Sequence, residues 1–205
     1  MKEYYERRAA EYDDWYEGTG LYACRPRPGL PEEVPALRAA VAALAPAVCL
    51  DVACGTGYLS RDLRGELTLL DQSASMLAVA ASRVPGARVV CADALPLPFA
   101  DGEFERLFTG HFYGHLEGDA RAAFLSEARR VAREVVVVDS ARRPGGVAEE
   151  WQERTLSDGS RFEVFKRFFT ADGLAEELGG GEVLFDGEWF VMVGTPGRRT
   201  STTAG

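Results

Sequence analysis

Val48-Cys49-Leu50-Asp51-Val52-Ala53-Cys54-Gly55-Thr56-Gly57 decides how this chain is read. The run opening at Val48 is short and apolar with a β-branched start, the pattern of a strand covered on both faces. An acid, Asp51, closes it, glycines follow at 55 and 57, and a helical pattern begins at Tyr58. Glycine serves where a backbone turns sharply and lets a ligand approach to contact distance. A helix start would add unpaired N–H groups and a partial positive charge. The stretch therefore predicts a strand–turn–helix cradle for a ligand with an anionic end.

Two more acids stand at the ends of strand-like runs downstream. Glu66-Leu67-Thr68-Leu69-Leu70 ends at Asp71, and Ala87-Arg88-Val89-Val90-Cys91 leads to Asp93-Ala94. An acid closing the second strand suits a ribose diol, because one carboxylate accepts both hydroxyl protons. A dinucleotide site would instead show G-x-G-x-x-G and no acid beneath a pyrophosphate. Here Ala53 and Ser60 stand where the first and third glycines belong, and Asp51 would repel the pyrophosphate. A nicotinamide oxidoreductase is the weaker alternative.

Asp51-Val52-Ala53-Cys54-Gly55-Thr56-Gly57 resembles the first motif of the class I S-adenosylmethionine-dependent methyltransferases, D/E-x-G-x-G-x-G, with Ala53 replacing the first glycine. The junction Asp93 to Glu105, D-A-L-P-L-P-F-A-D-G-E-F-E, resembles the same family. So does Ala9-Ala10-Glu11-Tyr12-Asp13, an A-x-x-Y-D segment. The resemblance covers roughly residues 9–195 and is strongest over 48–116. It implies an α/β fold, Rossmann-like and doubly wound, with a mostly parallel seven-stranded sheet ending in an antiparallel hairpin. It also implies S-adenosyl-L-methionine as cofactor and a small-molecule methyl acceptor as partner.

The expected cofactor residues are then Asp51, Ala53, Cys54, Gly55, Thr56 and Gly57 in the cradle, with Tyr12 folded over the methionine end. Asp71 and Gln72 follow at the ribose, and Ser73 caps the next helix. Met76 would pack on the adenine, Asp93 would accept from its amino group, and the Ala94 N–H would donate to the ring. Thr109, at the end of the fourth strand, completes the set.

Thr109-Gly110-His111-Phe112-Tyr113-Gly114-His115-Leu116 carries both histidines of the chain. They fall at the carboxyl edge of a central strand, where open α/β sheets bind ligands. Transfer from a sulfonium needs a base only when the acceptor must lose a proton. His111 is the first candidate for that role and His115 the second; a pair that only shapes the pocket is the alternative. Tyr113, Trp151 and Phe165 are candidate pocket walls. A protein that keeps this fold but binds the cofactor for non-methylating chemistry, or as a structural element, is the rival reading.

The 205 residues predict one domain, or one domain with a small lid. Residues 1–46 read as a helical cap, with Tyr5, Ala9, Tyr12 and Tyr16 at helical spacing. Residues 47–195 read as the catalytic domain, 140–169 as a substrate-side insertion, and 196–205 as a disordered polar tail. Glu182–Phe185 and Glu188–Val193 flank Asp186-Gly187, a hairpin turn signal. A net charge of −9 argues against a nucleic-acid partner. No apolar run reaches the ~20 residues of a membrane span, so no membrane partner is expected. Cys24, Cys49, Cys54 and Cys91 lack metal-ligand spacing and read as small buried hydrophobes in a reducing cytoplasm, with no metal site. The oligomeric state is not legible.

Overall fold

Ala47–Val52 forms β1, an interior strand of the sheet. It pairs in parallel with β2 (Gly65–Asp71) on one side and β4 (Phe104–Gly110) on the other. β3 (Arg88–Cys91) extends the sheet beyond β2, and β5 (Ala132–Ser140) extends it beyond β4. β8 (Glu182–Asp186) and β9 (Phe190–Gly194) form the antiparallel hairpin, β9 lying against β5. The order is β3-β2-β1-β4-β5-β9-β8, the seven-stranded arrangement expected. This computed structural model describes residues 1–195, so the tail expected over 196–205 lies outside the described residues.

The alternation within β5 shows how the sheet is covered. Val135 and Val137 pack with Phe124, Leu125, Ala128 and Val131 of α5 (Gly118–Val131). Val136 and Val138 face the other way, onto Leu30, Val34, Leu37 and Val41 of α3 (Leu30–Ala43). A strand buried on both faces favours a continuous β-branched run, and Val135–Val138 supply it. Ser73 caps α4 (Ala74–Arg83) by accepting from the Met76 N–H at 3.1 Å, as expected of a serine before a helix.

Three expectations need correction. No helix starts at Tyr58: a single 3₁₀ turn, Ser60–Asp62, leads into β2. Tyr58, Leu59 and Leu63 turn inward against Leu37 and Phe108, and only the 3₁₀ turn forms before β2. The cradle therefore has no helix N-terminus above it. The amphipathic run at the start is broken into α1 (Lys2–Arg8), a 3₁₀ turn at Ala9–Glu11, and α2 (Asp14–Glu17). Of the cysteines only Cys49 is buried, and Cys24 and Cys91 are exposed.

Residues 140–169, read as an insertion, contain a hairpin apart from the main sheet. Its strands are β6 (Glu149–Thr155) and β7 (Arg161–Arg167). α6 (Ala171–Glu177), capped by Thr170, returns the chain to β8. Among the described residues no helix is long and apolar enough to cross a membrane.

Candidate active site

The carboxyl ends of β1, β2, β3 and β4 open into one cavity of about 260 Å³, lined by Ala53, Gly55, Asp71, Gln72, Asp93 and Ala94 among others. The turn after β1 makes its floor, with Ala53 and Gly55 at φ +55° and +56°. Only glycine adopts that region without cost, so Ala53 is held there by its surroundings. Asp71 is fixed from both sides: the Gly55 N–H donates to Oδ2 and the Ser73 N–H to Oδ1, each at 2.9 Å. Each oxygen keeps acceptor capacity toward the cavity. Burial raises the Asp71 carboxyl above its ordinary range.

Asp51 lies beside this cavity, near Tyr12, Ala53 and Gly110. Ser60 donates to its Oδ2 at 2.5 Å, while Oδ1 is buried and has no partner among the described residues. Burial pushes its pKa up to about 7. An ammonium group against Oδ1 would satisfy both the orphaned oxygen and the charge. A ligand with an amino-acid end and a ribose diol therefore fits these residues.

The N-terminal segment closes the cavity from above. Glu6 accepts from the Ala74 and Ser75 N–H groups at the start of α4, at 2.7 and 3.1 Å. Asp13 accepts from Thr56 Oγ1 at 2.6 Å and from Arg83 at 2.5 Å. These contacts hold Tyr12 over Gly55, whose added Cβ would meet the Tyr12 ring at 3.5 Å.

A second cavity of about 390 Å³ lies between the N-terminal segment, β5 and the hairpin β6–β7. Tyr12, His111 and His115 line both chambers, so the two meet at these side chains. His111 sits at φ +58°, with Trp15, Tyr16 and Phe190 edge-on around its ring at 5.3 to 5.8 Å. Its Nε2 is buried without a partner among the described residues. His115 donates from Nδ1 to the Phe165 carbonyl at 2.6 Å, which leaves Nε2 as an acceptor. Burial and the Lys166 ammonium push His111 down to about 4 and His115 down to about 3. Both rings are neutral at pH 7.

Residues 49–135 match a methyltransferase domain family. DhpI in complex with SAH is 27% identical to this chain, covers 96% of it and 95% of its own length, and superposes with a TM-score of 0.70. DhpI with SAM and HEP gives 26%, 95% of each chain and 0.71. A demethylmenaquinone methyltransferase of Thermotoga maritima is 34% identical over 93 residues, 43% of this chain. That match spans only 40% of the curated relative's length. The matched segment is a methyltransferase domain, and the fold is that of the class I S-adenosylmethionine-dependent methyltransferases. The protein PH0226 of Pyrococcus horikoshii, 17% identical and covering 97% of this chain and 100% of its own, shares the fold with a TM-score of 0.65.

The fold places some expected residues around the cavities and others beneath them. Tyr12, Ala53, Gly55, Asp71, Gln72, Asp93 and Ala94 line the first chamber, and Asp51 and Cys54 lie just behind its floor. Met76 is fully buried and does not line it; Tyr5, Ala92, Leu95 and Phe112 supply its apolar walls instead. Thr56 faces Asp13 and Arg83, Gly57 packs on Ala80, and Thr109 donates to the Val52 carbonyl at 2.8 Å between β1 and β4. These three shape the cradle without facing the chamber.

The expected acceptor walls also shift. Tyr113 is fully buried and donates to Glu177 at 2.7 Å. Trp151 and Phe165 pair on the outer face of the hairpin, with Trp151 59% exposed. The walls missed in the sequence are Trp15, Arg8, Arg154 and Lys166, from the N-terminal segment and the inner face of the hairpin. Alternation in Glu150-Trp151-Gln152-Glu153-Arg154 was the available signal, obscured because the inward face is the polar one.

Proposed function

We propose that this protein methylates an oxygen or nitrogen of a small molecule, with S-adenosylmethionine in the chamber at the strand ends. The observation that carries this reading is the sharing of Tyr12, His111 and His115 by the two chambers. When bound, the cofactor supplies an activated methyl group on a sulfonium.

The chain's own part is placement and exclusion of water. Asp71 accepts from the ribose hydroxyls with an orientation already set by Gly55 and Ser73. Asp51 Oδ1 receives the ammonium, and the Asp93 carboxylate and Ala94 N–H lie at the adenine end. The ring of Tyr12 faces the cation from above, and the N-terminal segment acts as a lid that keeps water out. Holding two reactants in attack geometry accounts for up to ~7–11 kcal/mol of a barrier. For an acceptor that carries a proton, His111 is the base, neutral at pH 7 and therefore able to accept at Nε2. His115, tied to the hairpin through Phe165, positions the junction.

A thermal melt with saturating S-adenosylhomocysteine tests this, with NAD as the control. A ligand at ~100 times its dissociation constant adds about 2.7 kcal/mol, which moves the midpoint of a chain of this size by roughly 5–11 °C. A shift with S-adenosylhomocysteine alone is expected. A shift with NAD alone would overturn the assignment. Tight cofactor binding with no demethylated product across an acceptor panel would favour a non-methylating role for the same fold.

A further inference from the structure

The second chamber carries a charge that the rest of the molecule does not. Its walls hold the basic side chains of Arg8, Arg143, Arg154 and Lys166 against the acidic ones of Glu150 and Glu188, in a chain of net charge −9. The hairpin register explains part of this. Glu150 pairs with Lys166, Gln152 with Val164 and Arg154 with Phe162, so these residues share the face turned to the chamber.

Lys166 is only 4% exposed, and its Nζ donates to Asp139 Oδ1 at 2.6 Å. Asp139 also accepts from the Gly114 and Ser140 N–H groups, both at 2.7 Å. That carboxylate is shared among three donors, and Lys166 keeps further protons free. Arg154 donates to Gln152 Oε1, has no carboxylate partner among the described residues, and leaves its Nε buried and unpartnered. Arg8 has no carboxylate partner there either: it donates to the Tyr4 hydroxyl and lies 4.9 Å from the Tyr12 ring centroid. The four cations face three carboxylates, Glu150, Glu188 and Asp139, and the excess positive charge is unfavourable unless an anion joins it.

We propose that the methyl acceptor is a small acid whose oxyanion, a carboxylate or a phosphoryl group, is held by Arg154, Lys166 and Arg8 in this chamber. The inference rests on the methyl-transfer reading and specifies its acceptor. A planar guanidinium meets either oxyanion with two parallel hydrogen bonds, and an ammonium adds a point charge. Trp15, Tyr16 and Trp189 leave apolar surface for the remainder of such a molecule.

The test is a melt titration in zwitterionic buffer with benzoate, phenyl phosphate and, as the uncharged counterpart, benzamide, each run with and without saturating S-adenosylhomocysteine. One or both anions should raise the midpoint where benzamide does not, and the one that responds names the oxyanion. Arg154→Met should weaken that response roughly tenfold, the loss of one charge-assisted contact, while the response to S-adenosylhomocysteine stays unchanged. Arg8→Met gives an independent second variant. No response to either anion, an equal response to benzamide, or wild-type anion response in both variants would overturn the proposal. Absence of a shift with S-adenosylhomocysteine would remove the methyl-transfer reading instead, and the titration without it still reads the chamber.

Discussion

Arg83 of α4 donates to Asp13 Oδ2 at 2.5 Å and, through its other terminal nitrogen, to the Thr56 carbonyl at 2.9 Å, so one side chain joins the N-terminal segment to the turn after β1. The ion pair is partly buried, with side chains 22% and 17% exposed. The lid is therefore fastened to the cradle it covers.

Asp13→Ala should loosen that fastening. Removing one partner of a partly buried charged hydrogen bond costs about 1–3 kcal/mol. Affinity for S-adenosylhomocysteine should fall by calorimetry, and cleavage within residues 1–17 by a protease should speed up. Equal cleavage rates in wild type and variant would show that this pair does not hold the lid.

Asp71→Asn keeps a side chain of the same shape but removes the charge and one acceptor. Affinity for S-adenosylhomocysteine should drop by about 1–3 kcal/mol, some five- to 150-fold. An unchanged dissociation constant would take Asp71 out of the ribose site.

Asp51 gives a pH dependence with a definite sign. Its carboxyl titrates near 3.8 when unfolded and about 7 when folded, so between those values the folded protein binds the extra proton. That contribution to stability is present at low pH and is lost as pH rises from about 4 to about 7. Bound ammonium would pull the carboxyl back to its charged form. Binding of S-adenosylhomocysteine near pH 6.5 should therefore release a proton, measured by calorimetry in buffers of different ionisation heat. Asp51→Asn should abolish the release. The two histidines act oppositely: held neutral, they add stability that is lost as pH falls from 6.5 toward about 4 and 3.

Ala53 sits at φ +55°, where an L-residue is strained by roughly 1–2 kcal/mol. Ala53→Gly should raise stability by up to about 1 kcal/mol after the larger entropy lost by glycine on folding is subtracted. Chemical denaturation would measure it, and a destabilised variant would mean that the methyl group makes contacts worth more than the strain.

His111→Asn tests the base, because asparagine tolerates the same positive φ. Turnover should fall by ~10²–10⁴ where the acceptor must lose a proton, with S-adenosylhomocysteine affinity little changed. Turnover near wild type would assign His111 to the wall alone, as an already ionised acceptor requires.

The strands and their closing acids were legible because they depend on local pattern: apolar runs, a β-branched bias, and Asp51, Asp71 and Asp93 at their ends. The hairpin at Asp186-Gly187 was legible for the same reason. What was not legible depends on partners distant in sequence. Tyr58 begins a helix-like pattern, yet burial against α3 and β4 takes it inward. Met76 has the spacing of a ligand wall, yet it faces the core. In β6 and β7 the usual sense of alternation is inverted, with Trp151 outward and Gln152, Arg154 and Lys166 toward the chamber, so the segment shows no apolar period that marks its inner face.

The hairpin β6–β7 also divides the molecule by task. It belongs to a separate sheet, and among its ties to the body are Lys166 to Asp139, the Phe165 carbonyl to His115, and the bridge between Ala141 and Phe169. None of those ties runs through the turn after β1 or the Asp71 loop. Under the proposed reading, substitutions on its inner face would change which acceptor is chosen without touching the turn after β1 or the Asp71 loop.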